Sequence, residues 1–190
     1  NNDPKEPGAY WGGFVDTRAN WEFAPFDYFK TTFTTAMGVP LDFKGAEKLK
    51  PEARKNIIGI ESQLWCETVK GREMLEYYVL PKLMGFAESA WAPERSWESI
   101  EDAARRKRQV DEEWNIFANR LAKVEMPRLH YLNGGYNYRV PAPGVVVENN
   151  LMKVNTELPG LKIYYTTDGT EPTTSSHLFS EPVPVNSRIQ

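Results

Sequence analysis

At His130 the sequence changes character, and the change restricts the chain to two kinds of folded unit. Before it, Val110, Trp114, Phe117, Leu121 and Val124 recur with 4-3-4-3 spacing, one apolar stripe of an amphipathic helix that Met126 and Pro127 are expected to end. Leu75, Tyr78, Val79, Leu83, Phe86, Ala87 and Ala90 trace a second, broader stripe, which predicts a helix over residues 72–91 lying on a sheet. Pro81 falls inside that helix, removes one backbone hydrogen bond and is expected to kink it near Tyr77. After His130 the composition turns to Tyr, Asn, Gly, Pro and Val. Residues 145–147, 151–154 and 162–167 then read as short strands separated by turn residues. Asp168-Gly169-Thr170-Glu171-Pro172 is a turn, with Gly169 free to take positive φ and Pro172 blocking further pairing. The domains are accordingly placed at residues 1–133 and 134–190, the second a small, incomplete β-sandwich-like unit in which one more strand is expected after Val185.

Within the first region, the segment GIESQLWCE (residues 59–67) follows the β-branched pair Ile57 and Ile58, and Gly59 and Gly71 bracket a run too short for a helix. It reads as a strand with its exit loop, and in a strand Trp65 and Glu67 share one face. An indole offers a flat surface for the C–H face of a pyranose, and a carboxylate two residues on accepts hydrogen bonds from vicinal hydroxyls. The same residues fit a core tryptophan at a strand end and a solvated glutamate paired with Lys70 or Arg72.

The remaining segments mostly have structural readings. Gly8 to Arg18 mixes aromatics with glycines; Trp11, next to Gly12-Gly13, is either a stacking platform or part of a small core with Tyr10 or Phe14, and Asp16 and Arg18 are expected to pair across a turn. WEFAPFDYFKTTF (residues 21–33) is an aromatic packing knot, with Asp27 a helix cap. Residues 40–51 form an exposed connection. Glu88, beside the apolar stripe, is expected to be partly buried and paired with an arginine such as Arg95. Ser96 or Ser99 starts the following helical segment, Ser99 and Asp102 standing at capping-box-like spacing. The basic run Arg105 to Arg108 is offset by Asp111, Glu112 and Glu113, so it reads as a solvated helix face.

A net charge of −3 without a clustered basic excess argues against a nucleic-acid partner. Cys66 is the only cysteine, which rules out an intrachain disulfide and CxxC-type metal sites. No apolar run is long enough to span a bilayer. The chain opens on a polar stretch and not on Met, and it is expected to be a fragment.

Taken together, EPGAYWGGFVDTR, EFAPFDYF, IIGIESQLWCETV and YVLPKLMGFAESAWAPE resemble, in the right order over roughly residues 4–125, the C-terminal part of the barrel of the chitobiase-type β-N-acetylhexosaminidases, a retaining glycoside hydrolase family. The tail with YYTTDGTEP resembles the small C-terminal β domain that follows the barrel in bacterial members. The resemblance implies an α/β fold, the C-terminal part of a (β/α)8 barrel with its site at the C-terminal strand ends, followed by the small β-sandwich-like domain. It further implies that Trp65 lines the pocket for the terminal N-acetylhexosamine, that Glu67 hydrogen-bonds its outer hydroxyls, and that Trp11 stacks on the aglycone sugar. Glu61 matches a polar position inside the final strand and is assigned to the barrel interior.

The family's mechanism is substrate-assisted: a glutamic acid protonates the leaving oxygen while the acetamido carbonyl of the substrate attacks the anomeric carbon, steered by a neighbouring aspartate. This departs from the two-carboxylate scheme. By the resemblance that Asp-Glu pair belongs to the fourth strand, ahead of residue 1, and the tyrosine contacting the acetamido group falls just before Asn1. Neither Glu101-Asp102 nor Asp111-Glu112 stands after a strand in apolar surroundings, so no catalytic residue is assigned here and the chain alone is expected to be inactive. No cofactor or metal is expected. The expected partners are N-acetylhexosamine-containing glycans or chitin oligosaccharides, with self-association through exposed barrel surface, and the expected location is periplasmic or secreted. The alternative is a non-catalytic carbohydrate-binding or interaction module.

Overall fold

A computed structural model describes residues 15–185. The chain divides into two compact units, Asn1–Asn115 with Leu129–Arg139 and Ile116–Arg128 with Val140–Gln190.

The first unit is helical. Helix α1 (Thr17–Glu22) is capped by Asp16, whose carboxylate accepts from the Ala19 N–H at 2.6 Å. Asp16 therefore does not pair with Arg18 as expected. Arg18 reaches along its own helix to Glu22 at 2.9 Å and across to Asp111 at 2.5 Å. The predicted helix over 72–91 is two helices, α2 (Gly71–Val79) and α3 (Lys82–Trp91). Pro81 separates two helices instead of kinking one near Tyr77, because the residue before a proline is driven out of the α region, and Leu80 sits at φ −101°, ψ 136°.

Helix α3 packs on α1 at Gly85, which is buried. A Cβ there would lie 2.5 Å from the Thr17 carbonyl oxygen, so this crossing requires a residue without a side chain. Trp21 is buried against Trp97, with ring centroids 6.5 Å apart, and against Trp114 on helix α4 (Ala103–Arg120) at 5.4 Å. The Arg95 guanidinium lies 4.8 Å over the Trp21 ring and 5.3 Å over Trp97, and it donates to the Trp21 carbonyl and to Ser89 Oγ. Burial lowers the Arg95 pKa from its ordinary value. Glu88, the expected partner of Arg95, is exposed; tryptophan faces and a backbone carbonyl fill the place assigned to it.

The aromatic knot forms only in part. Trp21 is buried, while Tyr28 and Phe33 remain exposed, and Tyr28 and Phe29 meet the edge of Phe43 from the following connection. Asp27 begins the short 3₁₀ turn Tyr28–Lys30 without capping it; its carboxylate instead accepts from Lys48 at 3.1 Å. Lys30, a residue with no sequence signal for burial, is buried, and its ammonium donates to the Glu98 carbonyl at 2.8 Å and to Glu101 at 2.7 Å.

Helix α4 starts at Ala103, later than either serine suggested. Asp102 caps it by accepting from the Arg105 N–H at 2.7 Å, and Ser96–Ser99 is a separate 3₁₀ turn. Its end also differs. A π turn, Leu121–Glu125, leads into a last helical turn, α5 (Met126–Leu129), so Met126 and Pro127 continue the helix. The wider turn shifts the buried face by about one residue: Leu121, Met126 and Leu129 are buried and Val124 is exposed. It also suits Pro127, which has no N–H to donate.

The second unit contains two antiparallel sheets. Strands β1 (Gly144–Glu148) and β2 (Leu151–Asn155) form a hairpin whose loop residues, Asn149 and Asn150, have φ of 51° and 61°, the left-handed pair that a two-residue hairpin turn needs. β5 (Val183–Pro184) adds to the other side of β2, with Pro184 tolerated because β5 is an edge. β3 (Tyr164–Tyr165) pairs with β4 (His177–Leu178), so the expected strand over 162–167 contracts to two residues. The turn at 168–172 forms as read: Gly169 has φ 80°, and Asp168 accepts from both the amide and the hydroxyl of Thr170. Met152 and Leu158 are buried, while Val145, Val146 and Val147 of the edge strand β1 are all exposed.

Candidate functional site

Residues 57–66 do not form a strand; they carry no regular secondary structure, and no neighbouring segment is paired to them in a ladder among the described residues. A strand exists only by virtue of its ladder partners, and the sequence pattern records the alternation without supplying the neighbours. At the end of this segment the Trp65 side chain is 78% exposed. Within the described residues the indole is therefore not packed in a core. Glu67 follows in a turn, also exposed, and Arg72, one of its suggested partners, pairs with Glu76 instead. Trp11 lies outside the described residues.

The exit of the segment is held from one side. The Val69 N–H donates to the Cys66 carbonyl at 3.1 Å, closing the turn that carries Glu67. Thr68 Oγ1 and Tyr78 Oη lie 3.0 Å apart, in a hydrogen bond that either hydroxyl can donate, linking the turn to α2. The Lys70 N–H points at Met74 Sδ, 3.2 Å away, and Gly71 opens α2 at φ 82°, a value only glycine adopts without strain. Helix α2 is itself fixed to the end of its unit. Glu76 accepts from the Asn137 N–H at 2.8 Å and Asn137 Nδ2 donates to the Glu73 carbonyl at 3.0 Å. The Arg72 hydrogen bond, then that from Asn137, hold the Glu76 carboxyl below its ordinary range.

A groove of about 600 Å³ in the first unit is lined by α1, by residues 31–36 and by Ile60, Glu61 and Ser62. It reaches neither Trp65 nor Glu67. Its charged lining is already committed: Asp16 caps α1, Arg18 pairs with Glu22, and Glu61 accepts from Gln63. In the two acidic pairs set aside by sequence, Glu101, Asp102 and Asp111 are likewise committed. Glu101 pairs with Lys30 and Asp102 caps α4 from just before the helix, while Asp111 binds Lys107 at 2.6 Å and Arg18. Hydrogen bonds from Lys107, then Arg18, keep the Asp111 carboxyl below its ordinary range. Among the described residues no group of three or more His, Cys, Asp or Glu is arranged to hold a metal, and no helix is long and apolar enough to cross a membrane.

Sequence reasoning did not find Thr68 and Tyr78. Tyr78 had been counted only as part of the apolar stripe of α2, and a hydroxyl bond across ten residues has no periodic signature.

Comparison with known proteins assigns the chain first to the glycoside hydrolases. Residues 1–94 match the glycosyl hydrolase family 20 catalytic domain, and residues 125–190 match the chitobiase/beta-hexosaminidase C-terminal domain. The two matches together take in most of the sequence, and the chain belongs to the chitobiase-type hexosaminidase family that they define. It is 32% identical over 177 residues to an N,N'-diacetylchitobiase of Vibrio harveyi, covering 88% of this chain and 19% of that protein. It is 31% identical over 188 residues to a beta-hexosaminidase of Vibrio vulnificus, covering 88% of this chain and 21% of that protein. A beta-hexosaminidase of Porphyromonas gingivalis is 25% identical over 146 residues. The chain thus spans about a fifth of the length of the first two of these relatives.

Proposed function

We propose that the whole protein carrying this chain is a β-N-acetylhexosaminidase that removes terminal N-acetyl-β-hexosamine residues from glycans or chitin oligosaccharides by substrate-assisted retaining catalysis. In this reading residues 1–133 are the C-terminal part of a (β/α)8 barrel with its closing helices, and residues 134–190 are a β-sandwich-like domain. The change of composition after His130 supports that division, and the separate family matches over residues 1–94 and 125–190 support two domains.

The observation that carries the site is the exposed Trp65 ring with Glu67 two residues beyond it. Trp65 stacks on the apolar face of the terminal sugar and Glu67 accepts hydrogen bonds from its outer hydroxyls. Trp11 stacks on the aglycone sugar. The Asp-Glu pair that performs the chemistry lies in the protein outside this chain, in keeping with the structural roles of Glu101, Asp102 and Asp111 within it. The chain therefore supplies recognition. A periplasmic or secreted location agrees with glycan substrates, and the exposed Ile58, Leu64 and Trp65 favour self-association of the chain when alone.

The test is hydrolysis of a chromogenic N-acetyl-β-glucosaminide by the whole protein and by this chain. Turnover by the whole protein and none by the chain is expected. Glycan binding without turnover by the whole protein overturns the hydrolase reading.

A further inference from the structure

Glu67 can serve a sugar only if the turn that carries it is held in place, and the run before it offers no such ladder hold among the described residues. Downstream, the turn closes on itself through the Val69 to Cys66 backbone bond, which shapes it without anchoring it to another element. The side-chain hydrogen bond that fastens it to a helix is the one between Thr68 Oγ1 and Tyr78 Oη, at 3.0 Å and half-buried. Thr68 is the immediate neighbour of Glu67, so the position of its hydroxyl fixes where the Glu67 backbone leaves the turn. Tyr78 in turn sits on α2, which Glu73 and Glu76 secure to Asn137. An unbroken series of bonds thus runs from residue 137 through α2 to the residue beside Glu67.

Resting on the assignment of Trp65 and Glu67 to the terminal sugar, we propose that Tyr78 and Thr68 are positioning residues for that pair, their shared hydrogen bond setting the approach of Glu67 to the sugar hydroxyls. Neither touches the substrate. The tyrosine hydroxyl acts through Thr68, and its ring stays half-buried on α2. Removing only the hydroxyl leaves the packing in place and lets the turn sample other orientations. The fraction of molecules with Glu67 in the binding geometry falls, and apparent affinity falls with it.

The experiment is steady-state kinetics of the whole protein on a chromogenic N-acetyl-β-glucosaminide, with thermal unfolding as a check on folding. Tyr78→Phe and Thr68→Val are each expected to raise KM by about three- to tenfold, with kcat changed by less than about twofold. The double variant is expected to be no worse than either single one, because both remove the same bond. Thr68→Ser, which keeps a hydroxyl, is expected to restore the wild-type KM. A purely structural role would lower the unfolding temperature while leaving KM of the folded fraction unchanged. That result, additive effects, or failure of Thr68→Ser to restore KM overturns the proposal. Trp65→Ala run in parallel separates the two levels: a raised KM there with an unchanged KM in Tyr78→Phe rejects the positioning role alone. An unchanged KM in Trp65→Ala rejects the sugar-site assignment, and the positioning role with it.

Discussion

Trp21 and Trp97 lie beneath the Arg95 guanidinium in the helical unit and Trp114 packs against Trp21, all three rings buried, whereas Trp65 in the same unit stands exposed on a segment without regular secondary structure. The residue type is the same, and so is the immediate sequence flavour, since Trp97 and Trp65 both have a glutamate close behind them. What differs is the company each element keeps. Trp97 packs against Trp21 of α1, the helix that Gly85 of α3 lets approach closely, while in segment 57–66 the residues that line the groove beside α1 are Ile60, Glu61 and Ser62, and Trp65 lies beyond it. An indole is committed to packing in the first setting and is left exposed in the second.

The largest effect that could break this contrast is expected at Trp97. Trp97→Ala removes a fully buried ring and should cost about 3–5 kcal/mol of stability, read by chemical denaturation. A cost below 1 kcal/mol would remove the aromatic cluster from the core. Gly85→Ala comes next, at about 1–3 kcal/mol, because the new methyl would meet the Thr17 carbonyl at 2.5 Å and must push α1 away. Trp65→Ala is the mirror case. Stability should change by less than about 0.5 kcal/mol, as for other exposed sites, while terminal-sugar binding by the whole protein weakens by about 1–3 kcal/mol, by analogy with base stacking on aromatics. A large loss of stability with unchanged KM would reverse the two roles.

The smallest effect is electrostatic. Asp111 has its carboxyl held below the ordinary range by Lys107 and Arg18, so its contribution is fully present above the unfolded-state value and is lost as pH falls through the folded one. Asp111→Asn should therefore flatten the acid side of the stability–pH curve below about pH 4, with a cost under about 1 kcal/mol at neutral pH, as the pair is partly exposed. An unchanged acid limb would show that the Arg18 and Lys107 contacts do not hold in solution.

Local chemistry was legible where it depends on residues near in sequence. The apolar spacing marked α2, α3 and α4, and Asp168-Gly169 marked its turn, because helix faces and tight turns are set within a few residues. Pro81 was recognised as an interruption, but whether it bends or ends a helix depends on the conformation of Leu80. Val124 was misplaced because a π turn adds a residue that no spacing rule announces. At the candidate site, Trp65 and Glu67 were readable as side chains suited to a sugar, while their exposure was not, and the Thr68–Tyr78 bond had no sequence signal.

The amino-acid sequence by itself determined the helical and β-rich regions, the turn chemistry, the family and the residue types presented at the end of segment 57–67. Only the tertiary structure decided which of the described tryptophans are buried, which partner Arg95 takes, and that a tyrosine from the next helix hydrogen-bonds the residue beside Glu67. The physical reason is range: periodicity and turn propensity act over a few residues, whereas burial and side-chain pairing depend on what other elements bring alongside.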